Sequence, residues 1–268
     1  MKSPVLLLAI LLSAPAVAVG QTRDQARLII NVSAGFVGGQ SLWRVRGQPL
    51  YDNLGGQTVV DSLTISRRIR SSFSLGARGI FFHSDHFGFF GEAFLLGLGY
   101  DDTCGRTFAT NSARNAETCS SIDQAEAVSS AVQVAGGAMY RFASRKHVSP
   151  YVRGSLGFVL ASRSVLLTSG AFSSAGAGSE PVEVNIYPDE GGSKLYLAGG
   201  LGLGFTAQLA PSYQMRWEVR DNMVRLPTVA GPTVQDGNPP MVENRIKHLM
   251  SIEVGFDVVL ERRHGRRY

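Results

Sequence analysis

Hydrophobic residues in this chain recur at every second position, and the pattern repeats from one end to the other. Between Leu195 and Leu209 one parity carries Leu195, Leu197, Leu201, Leu203, Phe205 and Leu209, and the other carries Gly200, Gly202, Gly204, Thr206 and Gln208. Alternate residues of an extended chain point to opposite sides, so this segment is a strand with one apolar face and one small or polar face. Tyr213, Met215, Trp217 and Val219 then alternate with Gln214, Arg216, Glu218 and Arg220. Near the end, Met250, Ile252, Val254, Phe256, Val258 and Leu260 alternate with Ser251, Glu253, Gly255, Asp257 and Val259. The same template predicts strands over Ala26–Val37, Ser72–Phe82, Phe87–Gly99, Val128–Phe142 and Pro150–Ala161. Parity blurs only in Phe87–Gly99, where Phe90, Phe94 and Leu98 share a side with Glu92; a β-bulge near Gly91 would account for that.

Eight strands result, each long enough to cross a bilayer at the usual tilt, for which about 9 to 11 residues suffice. The connections alternate. His83-Ser84-Asp85-His86, Ala143–Ser149 and Ala210-Pro211 are short, whereas Gly38–Ser71, Tyr100–Ala127, Ser162–Ser193 and Asn222–Lys247 are long. Placing every long connection at one end is the habit of outer-membrane barrels, with short periplasmic turns and long extracellular loops. The polar parity carries Arg27, Arg78, Glu92, Arg141, Arg153, Arg216, Glu218, Arg220, Glu253 and Asp257 among many small residues. Eight strands enclose only enough room for side chains. The predicted fold is therefore an all-β, antiparallel, up-and-down transmembrane barrel, with Leu, Phe, Trp and Met facing lipid and those ten charges forming a lumenal ion network.

Composition fits this reading. Charged residues make up 18% of the chain and apolar ones 44%, with 31 Gly, and mean hydropathy is +0.04. A helical membrane bundle would need continuous apolar runs of about 20 residues, and this chain spreads its apolar residues out. The first twenty residues carry Lys2, an apolar run from Val5 to Leu12 and Ala16-Val17-Ala18, the layout of a secretory signal. Residues 21–268 then form the single barrel domain. Export to an oxidising compartment predicts a disulfide between Cys104 and Cys119. It also makes the basic balance, with a pI near 9.4, irrelevant to nucleic acid.

Candidate chemistry is sparse. His83-Ser84-Asp85-His86 offers zinc-type ligands, but a polar four-residue turn is first a hairpin, so no metal or cofactor is expected. His248, Ser251 and Glu253 have the residue types of a hydrolase relay, but His248 has the lipid-facing parity and the other two face inward. The Gly199-Gly200-x-Gly-x-Gly run lies inside a strand, where it cannot serve as a nucleotide loop. Arg44, Arg46, Arg67, Arg68 and Arg70 crowd the first long loop, where the outer leaflet offers lipopolysaccharide phosphates as partners. Arg145-Lys146-His147 lies in a turn at the other end, and the third long loop, Ser169–Gly178, is rich in Gly, Ala and Ser and expected to be mobile.

In the last strand, Glu253, Gly255, Val258 and Leu260 match the polar-x-Gly-x-x-apolar-x-apolar assembly signal of outer-membrane barrels. The chain thus resembles the small eight-stranded family of the outer-membrane protein A transmembrane domain and the opacity-type proteins. The resemblance implies recognition by the barrel-insertion machinery and residence in the bacterial outer membrane. Here the strand is followed by Glu261–Tyr268, with Arg262, Arg263, Arg266 and Arg267, rather than ending on an aromatic residue. The expected role is non-enzymatic: structural, adhesive or surface-interacting, exerted through extracellular loops. A narrow pore or hydrophobic-solute conduit is the alternative, and a lipid A-modifying barrel enzyme a third.

Overall fold

The structure, a computed structural model, describes residues 27–52, 59–108, 113–124, 126–127, 130–144, 146–162, 165–173, 182–187, 193–210, 212–233 and 239–260. Residues 1–20, expected to be a secretory signal, and the basic tail 261–268 lie outside the described residues. Eight strands close into one barrel: β1 (Arg27–Val37), β4 (Ser72–Phe82), β5 (Phe87–Gly97), β8 (Ser130–Arg141), β9 (Val148–Ala161), β12 (Lys194–Ala210), β13 (Tyr213–Gly231) and β14 (Met241–Leu260). Each pairs antiparallel with the next in sequence, and β1 closes the ring against β14, with Leu28 opposite Leu260 and Val37 opposite Ser251. The three short connections share one end, His83–His86 between β4 and β5 being a tight turn in which the Phe87 amide donates to Ser84 Oγ.

No bulge interrupts β5. Its register against β4 runs unbroken from Ser74↔Leu96 to Phe82↔Gly88, with Gly91 opposite Gly79. Phe90 and Phe94 point inward because the lumen holds aromatic rings as well as charges.

The long connections are more ordered than loops. β2 (Gln40–Asp52), β3 (Val59–Ile69), β6 (Tyr100–Phe108) and β7 (Glu126–Ala127) form a second sheet, while β10 (Thr168–Phe172) and β11 (Val182–Tyr187) form a two-stranded one. A helix, α1 (Ala113–Gln124), is tied to β6 by the Cys104–Cys119 disulfide. The segment expected to be mobile begins as β10, and 174–181 lie outside the described residues. The fourth long connection is mostly β13 and β14 themselves, which continue past the barrel as a ribbon.

Outward positions are apolar and exposed: Leu28, Ile30, Phe73, Leu75, Phe89, Leu156, Leu201, Leu203, Ile252 and Val254 among others. On β14 the apolar stretch from Met250 to Leu260, at about 3.3 Å per residue and a tilt near 40°, spans about 25 Å, the height of a membrane barrel's apolar band. Aromatic pairs gather at its short-turn end: Phe87–Phe89, Tyr140–Phe142, Phe205–Trp217 and Tyr213–Phe256. Tyr140, Tyr213 and Trp217 among them have the amphipathic rings that favour that depth.

Candidate functional site

The lumen is layered along its axis. Toward the short turns Ile29, Ile80, Phe82, Met139 and Val259 pack together with Phe90 and Tyr151. At the other end a second apolar cluster fills the barrel mouth with Phe94, Leu96, Ala131, Val159, Tyr196, Val224 and Leu249. It continues without a break into Leu42, Trp43, Val45, Leu63, Ile65 and Ile69 of the cap. A charged layer lies between these two.

Three arginines and three glutamates meet there, and their formal charges cancel. Arg78 donates to Glu92 at 2.9 Å and to Glu218 at 3.1 Å, and its third nitrogen stands 3.6 Å from Glu253. Arg153 clamps Glu92 through both terminal nitrogens, at 2.6 and 2.8 Å, and also reaches Glu218 at 3.1 Å. Arg220 joins Glu92 at 2.9 Å and Glu253 at 3.4 Å, and the Tyr151 hydroxyl donates to Glu218 at 2.7 Å. Buried charges persist when paired and hydrogen-bonded in this way. Strand register explains part of the geometry. Arg78 sits directly opposite Glu92 on β4 and β5, whereas Glu218 and Glu253 sit opposite each other on β13 and β14. Two carboxylates at such positions repel, and Arg78 touches both from across the lumen.

Aromatic rings supply the remaining faces. The Arg153 guanidinium lies 4.2 Å from the Phe90 centroid and that of Arg220 lies 4.9 Å from Phe94. Phe94 has room only because residue 76 is glycine: a Cβ there would stand 2.3 Å from the Phe94 ring. A separate pair lies nearer the short turns, where Arg216 holds Asp257 at 2.6 and 3.2 Å and Asn31 donates to Asp257 at 2.6 Å. Arg141 stacks over Phe82 at 3.6 Å, apart from the six-residue cluster. The side chain of Arg27 lies outside the described residues.

The arginines of the first long connection divide. Arg44, Arg46 and Arg68 are exposed, and Arg70 pairs with Asp101 at 3.2 Å. Arg67 does not belong with them at the outer leaflet. It is 3% exposed, grips Asp102 at 2.5 and 2.6 Å, and donates to the carbonyls of Val165 and Leu167. It also lies over the Trp43 and Tyr100 rings. Inward parity on β3, shared with Leu63, Ile65 and Ile69, puts it there. A second lock is Gln48, whose amide nitrogen donates to Thr233 Oγ1 while its oxygen accepts from Thr233 N and from the Tyr187 hydroxyl. On the outer side of β2, β3 and β6 an open groove of about 280 Å³ is lined by Ser41, Ser66, Arg68, Asp101 and Thr103.

The hydrolase residues do not meet. His248 is exposed and bonds Asp221 at 2.8 Å on the outer face, whereas Ser251 faces the lumen with Asn222, and Glu253 serves Arg220. In the short turn, His86 Nδ1 contacts the carbonyl of Arg141 at 2.7 Å. Of the assembly-signal positions, Glu253 and Gly255 are buried toward the lumen, and Leu260 is exposed on the outer face.

A closed antiparallel meander with an apolar outer belt and a charged interior defines an eight-stranded transmembrane barrel of the outer-membrane type. Among solved structures, the chain is similar to Neisserial surface protein A at 13% identity, over 89% of this chain and 100% of that one, with a TM-score of 0.43. It is similar to the outer membrane protein OprG of Pseudomonas aeruginosa at 12% identity, over 90% and 98%, with a TM-score of 0.42. The attachment invasion locus protein Ail of Yersinia pestis gives 13%, 89%, 100% and 0.34. These are small eight-stranded outer-membrane barrels. No protein-family model and no curated protein sequence matches the chain.

Proposed function

We propose that this protein is a non-catalytic surface protein of the bacterial outer membrane whose barrel is a closed scaffold and whose folded extracellular cap does the work of recognition. The observation that carries this reading is the lumen: a neutral, mutually bonded cluster of three arginines and three glutamates held between two apolar layers. An ion path needs fixed charges lining water, whereas these charges are spent on each other. Recognition then falls to the cap, a rigid platform above the membrane. Arg44, Arg46 and Arg68 are exposed, and their guanidinium groups are suited to phosphate groups such as those of lipopolysaccharide.

Planar-bilayer recording from the purified, folded protein tests the closed scaffold. The expected trace shows no steady single-channel steps, and a robust unitary conductance overturns it.

A further inference from the structure

Among the described residues, the ribbon of β13 and β14 above the barrel has one side open. β14 pairs with β13 from Met241 to Val258, but with β1 only from Ser251 to Leu260. The last bond on the β1 side runs from the Gly38 amide to the Met250 carbonyl. Backbone groups of a strand alternate between its two edges, so Val242, Asn244 and Ile246 aim their N–H and C=O groups the same way as Met250. Among the described residues no strand pairs with them there. At the base of this edge Lys247 reaches the carbonyl of Ser41 at 3.2 Å, and from Met241 to Ile246 every residue is exposed. An open strand edge is a template for another strand, and proteins usually guard it with charge.

The charges on this edge select rather than forbid. If the strand meets a second copy of itself antiparallel about Asn244, Glu243 of each copy faces Arg245 of the other, and Val242 faces Ile246. Centring on Arg245 instead sets Arg245 against Arg245 and leaves Glu243 to face Lys247, whose ammonium is already held by the Ser41 carbonyl. Centring on Ile246 sets Arg245 against Lys247, and centring on Glu243 opposes two carboxylates. Opposite-charge and β-branched cross-strand pairs stabilise a ladder, and like charges destabilise it. In the isolated chain Arg245 already bonds Glu243 within its own strand at 2.9 Å, and both are more than half exposed.

We propose that the edge of β14 over Val242–Ile246 is a homotypic adhesion site that takes the same strand of a second copy. The twofold axis of such a pairing is perpendicular to the ribbon. Where the ribbon continues the barrel wall, that axis lies in the membrane plane and turns one barrel over, so the two copies belong to opposed membranes. This rests on the reading of the cap as a recognition surface and adds the partner.

Phosphatidylcholine vesicles carrying the full chain provide the test, read by light scattering, with fold checked by circular dichroism and by the gel-mobility shift on heating. Wild-type vesicles are expected to aggregate. Glu243→Arg and Arg245→Glu each turn both cross-strand ion pairs repulsive, and each population loses about tenfold or more in aggregation rate on its own. Mixed with each other, the two variant populations face Arg against Glu at all four positions and aggregate again. The proposal is overturned by wild-type vesicles that stay dispersed, by variants that aggregate as wild type does, or by a mixture of folded variants that fails to recover. Neither substitution touches the lumen, so failure here is separable from failure of the closed scaffold, which conductance reads.

Discussion

Arg78 owes its importance to what it keeps apart. Strand register forces Glu218 and Glu253 into opposite positions, and Arg78 reaches both while also bonding Glu92. Arg78→Met removes the cation and leaves an excess of buried negative charge, with an expected loss of about 3 to 5 kcal/mol. Urea unfolding in lipid vesicles measures it. Adding Glu253→Gln removes the opposed charge and restores part of the loss; no recovery in the double variant would mean that the Glu218–Glu253 opposition is not what Arg78 relieves. The lumenal residues were legible in the sequence because a charge on the small-residue parity of a lipid-facing strand has only the lumen to enter. Phe90 and Phe94 were misleading for the same reason: hydropathy places a phenylalanine in lipid, and nothing in the local sequence shows that guanidinium groups await it inside. Arg67 was legible in part, since it interrupts the apolar parity of Leu63, Ile65 and Ile69, but its partner Asp102 lies 35 residues away on another strand.

At the scale of elements, alternation was enough to locate the barrel strands, since lipid on one side and a packed lumen on the other enforce period two, and register shifts come only near strand ends, at Gln208/Ala210 and Val229/Gly231. The cap strands escaped because register shifts between Ser41 and Trp43 and between Val45 and Gln48 break the period in β2, so that Leu42 and Trp43, neighbours in sequence, are both buried. The helix α1 has weak amphipathic character and stays in place through contacts with β6 and β10. The Ser121 hydroxyl accepts from the Ala171 amide, and Gly170 packs tightly against Thr118. Closing the loop between Cys104 and Cys119, 15 residues apart, contributes about 3 kcal/mol in the chain-entropy model. Reduction is therefore expected to raise amide hydrogen exchange in α1 and β10 while the barrel strands stay protected. Uniform exchange across α1, β10 and the barrel after reduction would contradict that division.

At the scale of the whole molecule, cap and barrel share one core. The cluster that begins at Phe94 in the lumen ends at Tyr187 and Trp43 in the cap, so the two should lose structure together. Alkali offers a way to see it. Burial holds the Tyr100 phenol above the ordinary tyrosine range, with Tyr196 beside it adding to the shift, and burial does the same for Tyr187. A raised acid means that the folded state keeps its proton. This stabilisation is complete below the unfolded tyrosine value of about 10 and falls away as pH rises beyond it. Phenolate absorbance is expected to show these two tyrosines titrating late, with cap and barrel becoming protease-sensitive in the same pH interval. Early titration, or loss of the cap alone, would show that the shared core does not couple them.

The buried inner face of the cap also bears on how the protein can vary. A surface domain is usually free to drift, but here Leu63, Ile65 and Ile69 on one side of β3 belong to the core that fills the barrel mouth. Drift is left to positions such as Thr64, Ser66 and Arg68, with their neighbours Ser41, Arg44 and Arg46, and sequence diversity among strains should appear there as a comb with teeth two residues apart. The protein can repaint its outer surface while leaving the apolar core beneath it unchanged.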